Sequence, residues 1–257
     1  MPLGLNDLPE RRILSRDVQT TLDHLFDVFS RYTPRDLDPD WHDFWHPAEQ
    51  AEVDSLPVRQ LSEDLMGCVL ANVISVYGST PDLKYFLPRL LEVAIQKPMR
   101  EETTAVLHRA NQTGLRSWPE PEFNSVCHFV LAWWRQALQE PVNFNSFPVD
   151  DALCAASFAF DDLGALLDEW AGDLSLNATL HIMNTARLNL HAENGEAQLI
   201  LETYWEDRPV QTAQVRAWLL SPAVLARLQA AAAQVQEEPA RELLIETTAR
   251  LGQIAAR

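Results

Sequence analysis

Apolar side chains recur at steps of three and four residues along almost the whole chain, and this period limits the fold more than any other feature. A period near 3.6 residues places apolar side chains on one face of an α-helix. Residues 10–31 show the pattern clearly, with charged side chains between the apolar positions. These apolar positions are Leu14, Val18, Leu22, Leu25, Phe26 and Phe29. The period predicts an all-α protein of about twelve helices.

Proline, glycine and capping residues mark where the predicted helices begin and end. Pro88 interrupts a helical pattern, which predicts either two short helices or one kinked helix across residues 81–96. Residues 197–205 fit a helix or a strand, and we interpret them as helix from their context. The other predicted helices span residues 10–31, 47–54, 62–76, 99–113, 120–139, 175–190, 211–220 and 222–236, with two helices in 150–171 and a last helix from 239.

Short Pro-marked turns between these helices favour packing of each helix against the next one along the chain. We therefore expect an irregular helical stack, either a HEAT-like α-solenoid or an orthogonal helix bundle. We interpret residues 1–257 as a single α-helical domain, because no linker rich in Gly or Ser divides the chain. The loop at residues 141–149 is a candidate boundary between two lobes.

The charge balance narrows the classes of partner. Acidic residues outnumber basic residues by 37 to 20, which gives a formal net charge of −17. Nucleic-acid binding and adhesion to anionic membranes both need an excess of Lys and Arg, so this balance disfavours them. A protein with a basic surface is the natural complement, although excess acid also keeps a cytosolic protein soluble.

Cysteine usage and the N-terminus indicate the compartment. The chain has three cysteines, an odd number, and each lies in an apolar run: Cys68, Cys127 and Cys154. This pattern predicts reduced thiols packed as small core residues. The N-terminal sequence MPLGLNDLPERR lacks the cationic start and apolar stretch of a signal peptide. No apolar run reaches the roughly 18 residues of a membrane span. We expect a cytoplasmic protein without a membrane segment.

The block TPDLKYFLPRLLEVA, residues 80–94, resembles a stretch found in an uncharacterised family of bacterial all-helical proteins. The shared pattern is Phe or Leu, Lys or Arg, any residue, FLPR, Ile or Leu, and then LE. The segments LSEDL and WLLSPAVLARL are similar to that family as well. The resemblance implies an all-helical fold and no particular activity. Some members carry Cys-rich sequence where this chain has WHDFWH, so the resemblance brings no metal site.

The stretch PDWHDFWHP concentrates aromatic, imidazole and carboxylate side chains between two prolines. His42 and His46 are four residues apart, a spacing that places two imidazoles on one helical face, and Asp43 and Glu49 are nearby carboxylates. Pro47 disfavours helical backbone at His46, and the HExxH motif with its general base is absent. The histidine spacing therefore gives only weak support for a metal site.

Two other interpretations of this stretch stay open. Trp41, Phe44 and Trp45 are aromatic side chains of the kind that anchor a peptide or a small molecule at an interface. Alternatively the rings fold back against the first helices and serve packing alone. We favour packing and keep Trp41, His42, Phe44, Trp45 and His46 as candidate binding residues.

Lys84 and Arg89 are the basic residues of the segment PDLKYFLPRLLE. Salt bridging within the helices is the default interpretation, but bidentate pairing with a carboxylate or phosphate also makes Arg89 a candidate binding residue. Trp133 and Trp134 are adjacent and should point in different directions, with core packing as the expected role. His128 is expected to be a hydrogen-bonded core histidine.

No pattern in the sequence marks a catalytic residue, a cofactor or a complete set of metal ligands. The leading hypothesis is a non-catalytic, acidic helical protein that binds another protein. The first alternative is a metal-dependent hydrolase that uses His42 and His46. The second is a HEAT-like nucleic-acid binder, which the charge disfavours.

Overall fold

The computed structural model describes residues 11–33, 47–75, 78–96, 102–143, 148–193, 196–199, 201 and 203–256. Within these ranges the chain forms twelve α-helices and one short hairpin, which confirms the all-α prediction. The helices are α1 (Arg16–Phe29), α2 (Pro47–Ser55), α3 (Glu63–Asn72), α4 (Thr80–Gln96), α5 (Glu102–Gln112), α6 (Glu120–Gln139), α7 (Pro148–Ala159), α8 (Gly164–Gly172), α9 (Leu176–Leu188), α10 (Pro209–Leu219), α11 (Pro222–Gln234) and α12 (Ala240–Ala255). No helix in these ranges combines the length and the apolar composition that crossing a bilayer requires.

Serine caps begin several of the helices. The hydroxyls of Ser15, Ser62, Ser175 and Ser221 each accept a hydrogen bond from the backbone N–H three residues further on, at 3.1–3.3 Å. Such a cap satisfies one of the N–H groups that have no partner within the helix and contributes about 1 kcal/mol. The starts of α3 and α11 are therefore the ones that Ser62 and Ser221 predict.

Pro88 does not end α4, which continues through it as one helix. Two segments differ from prediction. Helix α3 ends at Asn72 rather than at residue 76. The helix predicted over residues 197–205 is wrong, because β1 (Leu190–Glu193) pairs antiparallel with β2 (Glu196–Leu199) and a 3₁₀ turn follows at Thr203–Asp207.

The chain divides into two compact units, Met1–Trp133 and Trp134–Arg257, and the division falls inside α6. In the first unit α4 packs against α1, α3 and α5. Almost every α4 side chain from residue 82 to residue 95 is buried, including the polar Asp82, Lys84 and Glu92. Burial of charged groups is costly unless they are paired, so each needs a partner inside this unit.

In the second unit α9 packs against α7, α11 and α12. Trp134 and Trp170 meet edge to face, with ring centroids 5.4 Å apart. The Trp170 indole N–H donates to the Ala178 carbonyl at 3.0 Å, which ties α8 to the start of α9. The interpretation of residues 1–257 as a single domain, with a candidate boundary at 141–149, stays a prediction.

The expectations for Cys68 and His128 need correction. Cys127 and Cys154 are buried as expected, but Cys68 is exposed on α3. His128 is exposed rather than a core histidine. Trp133 and Trp134 are both buried, at 1% and 0% exposure, which confirms core packing as their expected role.

Candidate functional site

The aromatic stretch that the sequence singles out lies outside the described residues. This applies to Trp41, His42, Phe44, Trp45 and His46. The packing, recognition and metal interpretations of that stretch, and the hydrolase alternative, therefore stay predictions. Among the residues that the structure does describe, no group of three or more His, Cys, Asp and Glu side chains is placed to hold a metal ion.

Arg89 is engaged by groups of its own unit. Its Nε donates to the Leu61 carbonyl at 3.0 Å, and its Nη1 lies 2.6 Å from Glu92 Oε2. The second Glu92 oxygen accepts from Arg59 at 3.3 Å, and Arg59 also pairs with Asp23 at 2.7 Å. These bonds join α1 and α4 to the turn that precedes α3. The geometry matches the salt bridging taken as the default, and ligand binding by Arg89 stays a prediction.

Lys84 belongs to a buried cluster at one end of α6. Its ammonium lies 2.7 Å from Oε2 of Glu122, whose side chain is 1% exposed. The other Glu122 oxygen accepts from the Tyr32 hydroxyl at 2.6 Å and pairs with Arg31. The Lys84 ammonium also lies over the Trp118 ring, 4.4 Å from its centroid.

This enclosure explains the role of Lys84. Burial lowers the pKa of its ammonium, and contact with Tyr32 raises it in part. A lysine of lowered pKa is a candidate catalyst when it faces a cleft. Here the side chain is only 8% exposed and is covered by aromatic rings and a carboxylate. The arrangement therefore supports packing rather than chemistry.

The first unit carries an open groove on the outer face of α3, where α3 packs against α4. Its volume is about 450 Å³. The floor is apolar and consists largely of side chains that α4 and α3 bury in the core. The apolar residues of this floor are Met66, Leu70, Leu90, Val93 and Ala94.

Small residues open this groove to solvent. Gly67 and Ala71 are exposed, lie on one face of α3 and line the groove. A Cβ atom added at Gly67 would meet no heavy atom within 4 Å. Because these residues present so little side chain, part of the apolar surface of Leu70, Val93 and Ala94 stays in contact with solvent, while Met66 and Leu90 lie almost fully buried beneath it.

Carboxylate side chains lie at the end of the groove nearest the N-terminus of α3. Glu63 and Asp64 line it, and Glu63 also pairs with Arg11. The Cys68 thiol lies against Glu49 and near Asp64, and its partial burial together with these negative charges raises its pKa. A thiol of raised pKa is a poor nucleophile, since the thiolate is the reactive form. The site therefore suits binding better than covalent catalysis.

Sequence reasoning did not identify this groove. A signal was present, because Gly67, Cys68 and Ala71 place small side chains at helical spacing beside Asp64. Only the packing of α4 against α3 supplies the floor, and no local pattern predicts that contact.

Comparison of the chain with protein-family models, curated proteins and solved structures finds no match. The fold and the groove thus define the class: an all-α protein with an acidic, partly apolar surface groove.

Proposed function

We propose that this chain is a non-catalytic binding protein that holds a basic, partly apolar segment of a partner protein in the α3–α4 groove. The observation that carries the proposal is the combination of an apolar floor with carboxylates at one end of the groove. Apolar side chains of the partner would bury against Leu70, Val93 and Ala94. A Lys or Arg of the partner would lie against Asp64.

The size of the groove supports a side-chain-sized occupant. A volume of about 450 Å³ lies within the range of about 300–1,000 Å³ that is common for binding pockets. Burying one Leu or Phe side chain in such a site contributes about 1.5–3 kcal/mol. Two such side chains and one ion pair would give the affinity of a transient protein complex.

The charge of the whole chain supports a basic partner. A net charge of −17 attracts cationic surfaces from a distance and speeds their association at low ionic strength. The same charge disfavours the nucleic-acid alternative. A HEAT-like arrangement of the helices and a cytoplasmic location belong to this proposal, and both stay predictions.

Affinity capture with two matched variants tests the proposal. Gly67→Arg fills the groove with a long cationic side chain, and the open space at Gly67 lets α3 accept it. Gly252→Arg adds the same charge to α12, where a Cβ atom also meets nothing within 4 Å. Proteins captured from the native host at moderate salt are identified by mass spectrometry for each chain.

We expect one basic protein to be captured by the wild-type chain and by Gly252→Arg, and to be lost with Gly67→Arg. Its retention should fall as salt rises, because salt screens the attraction between opposite charges. Equal capture by Gly67→Arg and wild type would exclude the groove as the binding site. A wild-type chain recovered alone at several ionic strengths would contradict the proposed function itself.

A further inference from the structure

One segment of this acidic chain contains no acidic residue. Residues 208–236 include three arginines and neither Asp nor Glu, and no other acid-free stretch of the sequence is as long. The segment comprises α10 and α11, which pack against each other. The exposed side chains of α11 are chiefly Ala and Gln. The exposed face of α11 therefore carries no negative charge of its own.

A groove of about 500 Å³ lies along this surface, beside the C-terminal half of α11. Ala230, Ala231 and Val235 form its apolar wall. Leu174 and Leu176 border the groove and project into solvent, with 82% and 52% of their surface exposed. The patch thus combines a recess with two protruding leucines, and we call it the α11 patch.

The loop that displays Leu174 is held in place by hydrogen bonds. Arg227 donates through Nη2 to the carbonyls of Asp173 and Ser175, the residues on either side of Leu174. The Ser175 N–H donates to the Asp173 carboxylate at 2.9 Å, which closes the turn. Leu174 is therefore exposed on a fixed backbone, and little ordering entropy would be lost when it binds.

The same arginine anchors this loop to the core of the unit. Arg227 Nη1 donates to the Trp170 and Ala171 carbonyls at the end of α8, at 3.2 and 3.4 Å. Its Nε donates to the Thr179 hydroxyl at 2.8 Å. One guanidinium therefore caps α8, fixes the loop and forms part of the groove lining.

We propose that the α11 patch binds a second copy of this chain, with Leu174 of each copy inserted into the α11 groove of the other. A two-fold symmetric interface uses the same patch on both partners and must be complementary to itself. The α11 patch meets this condition in shape, because it offers both a protrusion and a recess. A surface that has only protrusions or only recesses is not complementary to itself.

Charge complementarity also selects a second copy as the occupant. Two chains of −17 repel each other wherever their acidic surfaces meet. At the α11 patch they meet Ala, Gln and Leu side chains, and only Glu237 of the groove lining is acidic. A strongly basic partner would find few carboxylates there, Glu237 in the lining and Asp173 beside Leu174, which already accepts from the Ser175 N–H, and it would bind more strongly elsewhere on the chain.

Sedimentation of the 257-residue chain from about 1 µM to about 300 µM tests the inference. We expect the mass to rise with concentration from 29.1 kDa toward twice that value. Leu174→Glu should weaken the dimer at least about a hundredfold, because each copy loses one buried leucine. Ile245→Glu is the matched control, since Ile245 is an exposed apolar residue on α12 outside the groove lining.

A mixing experiment tests the pairing of Leu174 with the groove. Leu174→Lys places an ammonium on the protrusion, and Ala230→Glu places a carboxylate in the recess. Each variant alone should stay monomeric at concentrations where the wild type dimerises. In the mixture, the lysine of one chain meets the glutamate of the other, while the second contact keeps the native leucine and alanine.

Dimers in the mixture, with monomers in each variant alone, would establish the contact. A mass that stays at 29.1 kDa over the whole range would overturn the inference and leave the patch to a different partner. A dimer that survives Leu174→Glu, or a mixture as monomeric as its components, would overturn it too. None of these results bears on the α3–α4 groove, so the two proposals can fail separately.

Discussion

Replacing Glu122 by Gln should strongly destabilise the first unit. The substitution keeps the size of the side chain and an acceptor for the Tyr32 hydroxyl, but it removes the charge that pairs with Lys84 at 2.7 Å. Lys84 is 8% exposed and cannot regain water without a rearrangement of the core. Removing one partner of a buried ion pair costs about 3–5 kcal/mol. Arg31, which is 57% exposed, adds about 1 kcal/mol or less.

The double variant Glu122→Gln with Lys84→Met distinguishes the attraction between the two charges from the cost of removing each charge from water. With both charges removed, no ion stays buried, and replacing a buried pair by neutral groups is often close to neutral in stability. We expect the double variant to lose about 0–2 kcal/mol, less than either single variant. The coupling between the two positions should therefore be about 3 kcal/mol or more.

Urea denaturation followed by circular dichroism measures these free energies of unfolding. Glu169→Gln is the control, because Glu169 pairs with Arg135 on the surface at 3.0 Å, with side chains 37% and 60% exposed. That exposed pair should contribute about 0–1 kcal/mol. A loss below about 1 kcal/mol in Glu122→Gln, or a double variant no more stable than the single ones, would refute the assignment of a buried, paired charge.

Three further outcomes follow from the structure. Gly67→Ala should stabilise α3 by about 0.5–1 kcal/mol and raise the melting temperature by about 2–4 °C, because the site is helical and open. Burial lowers the pKa of His181, whose Nε2 donates to the Glu140 carbonyl at 2.8 Å. Below pH 6.5 the unfolded chain therefore binds a proton at His181 more readily than the native chain does. The free energy of unfolding should fall as the pH drops from 6.5 toward the lowered pKa. His181→Gln should reduce this fall. Arg227→Met should cost about 1–3 kcal/mol by leaving the part-buried carbonyls of Trp170 and Asp173 without this donor, measured by urea denaturation.

Much of the helical framework could be predicted from the sequence because it depends on local signals. The period of apolar residues identifies α6 and α11 almost to the residue, and Ser62 and Ser221 mark helix starts through their own hydroxyls. The segment around residues 190–205 failed for a different reason. The prediction of a helix over residues 197–205 relied on the helical context of the segment. It did not use Asn194 and Gly195, the dipeptide that most favours a two-residue hairpin turn.

The site could not be predicted in the same way, because its parts lie far apart in the sequence. Lys84 and Glu122 are 38 positions apart and give no local pattern, although Lys84 was expected to form a salt bridge. Arg227 reaches α8 and the loop after it from more than 50 residues away. A groove is likewise set by how two helices pack, and the sequence shows only which residues are small enough to leave it open.

Salt separates the two binding proposals, because they depend on charge in opposite ways. Partner binding in the α3–α4 groove relies on attraction between a chain of −17 and a basic surface. It should weaken as the screening length falls from about 30 Å at 0.01 M salt to about 8 Å at 0.15 M. Self-association through the α11 patch works against repulsion between two chains of −17, so the same screening should strengthen it. Apolar contacts such as that of Leu174 gain little or nothing from low salt. A dimer that dissociates as salt rises would therefore be held by ion pairs, and the Leu174 contact would be the wrong explanation for it.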